Sequence, residues 1–258
     1  MENLDRKTEG APRMISARDS KLYEMDGFEF LDSLDDESVD LLFLDPPFEK
    51  WEDFCDQGLI DKAKRVTKKD GNILCFTNQS FDFHLRKVVD DIFRRELIWT
   101  FLNGGAWVSK KLPLVSCQKI FHLTKSTSSF FNPRTGEQYS DKTKDFKRET
   151  KVWEGYDLVG KEFEKSEEGT WLRDVLHFSK PIGTGRTCCK PNELLRILVT
   201  CYCKPDGIVV DPFAGSGRMM KACLALSTKY LGSEIDPDAV EYASREMKEE
   251  ISQLTLEI

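Results

Sequence analysis

The sequence predicts an α/β fold, a doubly wound and largely parallel sheet, on three observations. The apolar run Val39-Asp40-Leu41-Leu42-Phe43-Leu44 reads as a buried strand that empties into Asp45-Pro46-Pro47-Phe48. A second run, Ile208-Val209-Val210-Asp211, passes through Pro212-Phe213-Ala214-Gly215-Ser216-Gly217 into an apolar-periodic segment from Met219 to Leu226. That is strand, glycine turn and helix. A third strand, Lys229 to Ile235, carries Glu234, 19 residues beyond Gly215, where doubly wound nucleotide-binding folds hold an acid for ribose hydroxyls.

In chain order, Leu22 to Asp26 reads as a strand, Glu29 to Leu34 as a short helix and Val39 to Leu44 as the first fully apolar strand. One helix is expected over about 51–66. Asp70-Gly71 turns into a strand over Gly71 to Phe76, Phe81 to Ile92 reads as a helix, and Glu96 to Phe101 and Gln118 to Leu123 read as strands toward the far edge. Residues 124–185 show little periodicity. Pro191 opens a helix over Glu193 to Cys201, and Asp236-Pro237 caps a last amphipathic helix through about Leu254. The order makes sense for a circularly permuted sheet, cut between its second and third strands. The strand at Tyr230 then lies beside the strand at Tyr23, and the strands ending at Asp45 and Asp211 are neighbours. No repeat is visible, and residues 1–258 read as one domain with a compact insertion over 104–186.

Two turns carry chemistry. Successive prolines stiffen the chain after Asp45 and remove two backbone donors, which leaves the Pro46 carbonyl as an outward acceptor. A carboxylate, a bare carbonyl and the Phe48 ring can converge on a flat ligand that carries an NH2 group, as an extruded nucleobase does. Gly215 and Gly217 let the second turn approach a ligand closely, beside the unpaired N–H groups of a helix start. A dinucleotide dehydrogenase would need a third glycine where this chain has Met220.

With these residues in view, the chain resembles the DNA amino-methyltransferases, which transfer a methyl group from S-adenosylmethionine to the exocyclic amine of adenine or cytosine. Asp45-Pro46-Pro47-Phe48 is similar to the family's catalytic motif, Asp211 to Gly217 to its cofactor motif, and Lys190-Pro191-Asn192-Glu193-Leu194 to its Lys-Pro-x-x-Leu segment. The catalytic motif comes first, as in the permuted beta class. The run before Lys190 is Arg186-Thr187-Cys188-Cys189, where the family usually has His-Pro-Thr-Gln. The resemblance implies a Rossmann-like methyltransferase sheet with Asp45, Pro46, Pro47 and Phe48 as catalytic residues. It implies a cofactor site formed by Asp26, Lys190, Asp211, Phe213, Ala214, Gly215, Ser216, Gly217 and Glu234, with Asp26 beside the adenine and Glu234 on the ribose. An Asp at the first motif position leans toward the N6 amine of adenine. N4-cytosine is the alternative, and an inactive DNA-binding or partner-binding subunit, or methylation of RNA or of a protein amide, are others. C5-cytosine chemistry would need a Pro-Cys pair, which this chain lacks.

The net charge of −7 looks wrong for a DNA enzyme until the charge is located. Between Gly104 and Lys151 ten Lys or Arg stand against four Asp or Glu, among Ser, Thr, Asn and Gly, a composition suited to phosphate contacts. Lys110, Lys111, Arg134, Lys142, Lys144, Lys147 and Arg148 are the expected DNA contacts, where the resembled family carries its target-recognition region. A solvated surface loop would have the same composition. The first thirteen residues are polar, and no apolar run approaches the ~20 residues of a membrane span, so the expectation is a cytoplasmic protein, or a nuclear or virus-encoded one, that is not secreted. The eight cysteines lack paired Cys-x-x-Cys spacing and read as reduced thiols; no metal is expected, with a zinc site over Cys188 to Cys203 as the minority reading. DNA is the expected partner, and a homodimer or partner subunit is left open.

Overall fold

The computed structural model describes residues 5–6, 12–78, 81–101, 114–136, 170–181 and 189–256. Its strands are β1 (Asp5–Arg6), β2 (Met14–Ala17), β3 (Ser20–Glu24), β4 (Val39–Leu44), β5 (Thr67–Thr77), β6 (Phe93–Thr100), β7 (Cys117–Leu123), β8 (Val175–His177), β9 (Ile208–Asp211) and β10 (Lys229–Glu234). The helices are α1 (Gly27–Asp32), α2 (Trp51–Asp56), α3 (Leu59–Val66), α4 (Asp82–Val88), α5 (Asn192–Tyr202), α6 (Arg218–Ala225) and α7 (Pro237–Leu256). The strands form one sheet in the order β1-β2-β3-β10-β9-β4-β5-β7-β6-β8.

The permuted order is visible in the strand pairs. β10 runs parallel to β3, with Ser233 opposite Tyr23, and parallel to β9, with Gly232 opposite Asp211. β9 runs parallel to β4, with Val210 opposite Leu42. All six residues of β4 are buried, because a parallel central strand is covered on both faces. Alternation divides its side chains between two layers. Leu41 and Phe43 meet α5, α6 and α7 through Leu195, Leu198, Met219 and Val240, while Leu42 and Leu44 meet α1, α3 and α4 through Leu31, Ile60 and Leu85. Asp40 is the one charge inside β4. It accepts from Lys68 at 2.8 Å, from Lys204 at 2.9 Å and from the Ile208 amide at 3.0 Å, and so ties the start of β4 to the start of β9.

Several elements differ from the expectation. The helix over 51–66 is two helices, α2 and α3, preceded by a 3-10 turn at Phe48–Lys50, because Gly58 takes a left-handed φ of 80° and stops the first. β5 starts at Thr67 rather than Gly71, through a register irregularity between Val39 and Leu41. α4 ends at Val88, short of Ile92. The β2–β3 hairpin turns at Arg18-Asp19, with Arg18 at φ 50° and no glycine to announce it. β8, three residues within the segment without periodicity, pairs parallel to β6.

Candidate active site

β4, β9 and β10 are parallel neighbours, so Asp45, Asp211 and Glu234 lie together at their carboxyl ends, where such sheets bind ligands. Asp211 is 2% exposed and lies under the turn, with Oδ1 accepting from the Phe213 amide at 3.1 Å. Burial pushes its carboxyl well above the usual range. The Phe213 amide opposes that shift, the charges of Asp45 and Glu234 add to it, and Lys190 opposes it.

Above Asp211 the chain forms a tight cradle. Gly215 and Gly217 take φ values of 53° and 73°, and Gly217 caps α6. A side chain at Gly217 would collide with the Ala243 Cβ at 2.8 Å, whereas a methyl group placed on Gly215 would have no atom within 4 Å. The Ala214 amide donates to the Ser233 carbonyl at 2.9 Å, and Ser216 is buried with its Oγ 3.5 Å from the Cys189 sulfur. Phe213 stacks on Phe54 with centroids 5.4 Å apart, which carries the turn onto the α2 side of the sheet. Glu234 faces the same loop. Its Oε2 accepts from the Gly215 amide at 2.7 Å and its Oε1 from the Asp236 amide at 2.9 Å. Asp26 follows β3, beside Glu234, whose carbonyl accepts from the Met25 amide at 3.0 Å. Asp26 Oδ1 caps α1 by accepting from the Phe28 and Glu29 amides at 2.8 and 3.2 Å.

Asp45 leaves β4 as expected, and sequence reasoning missed its partner. Lys190, 4% exposed, donates from Nζ to Asp45 Oδ2, and the same Nζ lies 4.9 Å from the Phe76 ring centroid. Lys190 therefore reaches the catalytic motif as well as flanking the cofactor turn. Nothing in the local pattern signals a pair 145 residues apart. Asp45 Oδ1 has no hydrogen-bond partner among the described residues. The Pro46 carbonyl is likewise unpaired among them, while the Pro47 carbonyl accepts from the Lys50 amide at 3.0 Å. Phe48 begins the 3-10 turn, and its side chain lies outside the described residues.

The expected DNA contacts are only partly described. Lys110, Lys111, Lys142, Lys144, Lys147 and Arg148 lie outside the described residues. Arg134 is described, and it is far from Asp45. Its guanidinium covers Trp171, 4.6 Å from the ring centroid, in a segment held to the end of α5 by the Asn132 amide, which donates to the Cys201 carbonyl at 2.8 Å. That is the amino-terminal end of the parallel strands. Among the described residues no group of His, Cys, Asp and Glu could hold a metal ion, and burial pushes the thiols of Cys201 and Cys203 up to about 12. No described helix is long and apolar enough to cross a membrane.

Known proteins resemble this chain in sequence and in fold. The type II methyltransferase M.HinfI of Haemophilus influenzae is 24% identical over 90% of this chain and 71% of its own length. Among solved structures, the complex of M1.HpyAVI with SAM superposes with a TM-score of 0.63 at 17% identity, covering 88% of this chain and 99% of that one. The PvuII DNA methyltransferase, described as cytosine-N4-specific, superposes with a TM-score of 0.65 at 16% identity, covering 87% and 85%. The sheet is thus the Rossmann-like methyltransferase sheet. The model of the N6/N4 DNA methylase family matches residues 39–245, and the chain belongs to that family.

Proposed function

We propose that this DNA amino-methyltransferase acts on the N6 amine of adenine in a base swung out of the DNA stack. The observation that carries this reading is the pair of unpartnered acceptors, Asp45 Oδ1 and the Pro46 carbonyl, beside the cradle at Gly215. S-Adenosylmethionine supplies a methyl group on a positively charged sulfur. The cradle suits such a ligand: open space faces the Gly215 backbone, and Asp26, Asp45 and Glu234 surround it with Lys190 as the counter-charge. Asp211, Phe213, Ala214, Ser216 and Gly217 shape the loop, Glu234 accepts from the ribose hydroxyls, and Asp26 faces the adenine ring.

An exocyclic amine is a poor nucleophile because its lone pair is delocalised into the ring. Hydrogen bonds from its two hydrogens to Asp45 Oδ1 and the Pro46 carbonyl pull the nitrogen toward tetrahedral geometry and turn the lone pair outward. As the N–C bond forms, the S–C bond breaks, the cofactor leaves as a neutral thioether and the amine gives up one proton, to Asp45 or to water, so transfer needs positioning and electrostatics rather than a covalent intermediate. Lys190 acts on this step through Asp45. By occupying Oδ2 it fixes the carboxylate and leaves Oδ1 for the amine. Phe48 stacks on the extruded base and offsets part of the few kcal/mol that flipping costs. Pro47 keeps the turn rigid.

Adenine is favoured over cytosine because Asp45 stands at the first position of the motif; N4-cytosine is the second reading, favoured by the fold likeness to a cytosine-N4-specific enzyme. In this reading residues 1–258 are one methyltransferase domain with 104–186 as its target-recognition insertion, working on DNA in the cytoplasm. Lys110, Lys111, Lys142, Lys144, Lys147 and Arg148 contact phosphates, whereas Arg134, at the amino-terminal end of the parallel strands, stands away from the catalytic motif. Asp45→Ala tests the assignment. It should abolish methyl transfer while calorimetry shows nearly unchanged cofactor affinity, and a variant with normal turnover would remove Asp45 from the mechanism.

A further inference from the structure

A second cavity lies at the opposite end of the sheet from Asp45. It measures about 450 Å³, and Arg94, Arg95, His122, Phe131 and Tyr202 line it, as do Arg173 and the carboxylate-bearing Asp174. Arg94 and Arg95 open β6. That strand runs parallel to β5 through the shared antiparallel neighbour β7, so its start faces away from the carboxyl ends that hold the catalytic motif.

The cavity is constructed by specific local features. Consecutive side chains of a regular strand point to opposite faces, yet Arg94 and Arg95 line one cavity. The cause is a bulge: Phe93 pairs with Leu123 and Arg95 with His122, so two residues of β6 stand against one of β7. Neither arginine has an ion-pair partner among the described residues. Beneath them, His122 and Tyr202 are 7% and 2% exposed, with ring centroids 4.7 Å apart. Asn72 fixes the state of His122. Its Nδ2 donates to the Phe130 and Tyr202 carbonyls at 2.8 and 2.7 Å, so its Oδ1 must accept from His122 Nε2 at 2.7 Å. Burial, with the charges of Arg94 and Arg95, lowers the His122 pKa to about 4 and keeps the ring neutral. His122 Nδ1 is then a bare acceptor. The Tyr202 hydroxyl has no partner among the described residues, and Phe131 is 49% exposed at the cavity wall.

We propose that this cavity is a second ligand site that takes a nucleoside phosphate. Arg94 and Arg95 hold the phosphate, whose oxygens match guanidinium donors. The heterocycle lies against Phe131, and its edge meets an acceptor, His122 Nδ1, and a donor, the Tyr202 hydroxyl, on residues that line the cavity. A bare inorganic anion would use the arginines alone and leave both of those groups to water. The volume lies within the range of small-ligand pockets. The phosphate-bearing unit is either a free nucleotide or a nucleotide within a single strand, and the experiment separates the two.

The test is calorimetry on the full chain with saturating S-adenosylhomocysteine, so that the cradle at Gly215 is filled, and in an Asp45→Ala background, so that binding at the target-base pocket is separated from binding at the second cavity. The titrants are nucleoside 5′-monophosphates, the matching nucleosides, inorganic phosphate and a short single-stranded oligonucleotide. A monophosphate should bind at least tenfold more tightly than its nucleoside or inorganic phosphate. In the Arg94→Ala/Arg95→Ala variant that binding should fall at least tenfold. With Asp45 in place, methyl transfer by the double variant should be unchanged and the melting temperature of the ligand-free protein nearly so, since both side chains are exposed. Phe131→Ala should weaken monophosphates and leave inorganic phosphate alone. Binding of the oligonucleotide alone, lost in the double variant, assigns the same site to a nucleic-acid strand. Equal affinity for inorganic phosphate and monophosphates, binding that survives the double variant, or no binding by any titrant overturns the proposal.

Discussion

Lys190 donates to Asp45 Oδ2 from the turn that opens α5, and both side chains are largely shielded, at 5% and 19% exposed. The contact joins the catalytic turn after β4 to the segment that precedes the cofactor turn. The charge of Lys190 also acts on the buried Asp211, opposing the rise of its pKa.

This pair gives the first prediction. Lys190→Met should lower kcat at least tenfold, about 1.4 kcal/mol of transition-state stabilisation, with a smaller change in the cofactor Kd. Lys190→Arg should recover part of the loss. A large rise in cofactor Kd with kcat preserved would instead assign Lys190 to the cofactor alone.

The two glycines of the cradle should separate. Gly217→Ala meets Ala243 at 2.8 Å and a φ of 73°, so it should lower the stability of the ligand-free protein by about 1–3 kcal/mol. Gly215→Ala meets open space and a φ of 53°, so its stability loss should be near the low end, and its main effect should fall on cofactor affinity. Thermal melts with and without S-adenosylhomocysteine distinguish them. Equal ligand-induced shifts in both variants would remove Gly215 from the cofactor contact.

His122 should leave a mark on stability against pH. Its folded pKa of about 4 lies below the ordinary 6.5, so the folded state binds fewer protons between those values. Its contribution is fully present above pH 6.5 and is lost as pH falls toward 4, roughly 3 kcal/mol in all. Urea unfolding across that window should show a shallower slope in His122→Gln than in the parent. Parallel slopes would mean that His122 is charged in the folded state.

DNA affinity should depend on the basic segment. Log affinity should fall with log salt at about −0.9 per phosphate contacted, and replacing Lys144, Lys147 and Arg148 with Ala should flatten that slope with no change in cofactor binding. The described anchors on either side of these residues, Thr135 and Thr170, pair at 2.9 Å near the end of α5, whereas Phe101 and Ser116, on either side of Lys110 and Lys111, pair at 2.8 Å at the catalytic end. An unchanged slope in the triple variant would move the duplex contacts to Lys110 and Lys111.

The parts of the fold read most directly from the sequence are those a parallel sheet imposes. β4, apart from Asp40, and β9 up to Asp211 are apolar runs because both faces are covered, and Asp45, just after β4, and Asp211, at the end of β9, stand where ligands bind. The adjacency of β10 and β3 followed from motif order. What stayed hidden depends on three-dimensional docking or on weak local signals. Arg18 turns a hairpin without a glycine, three residues are enough for β8, and Gly58 looked compatible with one long helix. The Lys190–Asp45 contact exists because α5 lies against the sheet, and the aim of Arg94 and Arg95 depends on a register shift that no local pattern announces.

Transfer to an exocyclic amine of DNA, with adenine as the base, can be read in a single assay. The most direct measurement incubates the purified protein with methyl-labelled S-adenosylmethionine and methyl-free DNA, digests the DNA to nucleosides and identifies the labelled one, with RNA as a parallel substrate. Label should appear in N6-methyldeoxyadenosine from DNA, and none should appear after Asp45→Ala. Label in N4-methyldeoxycytidine would make cytosine the target base, and label in RNA alone or at a carbon of the base would rule out transfer to an exocyclic amine of DNA.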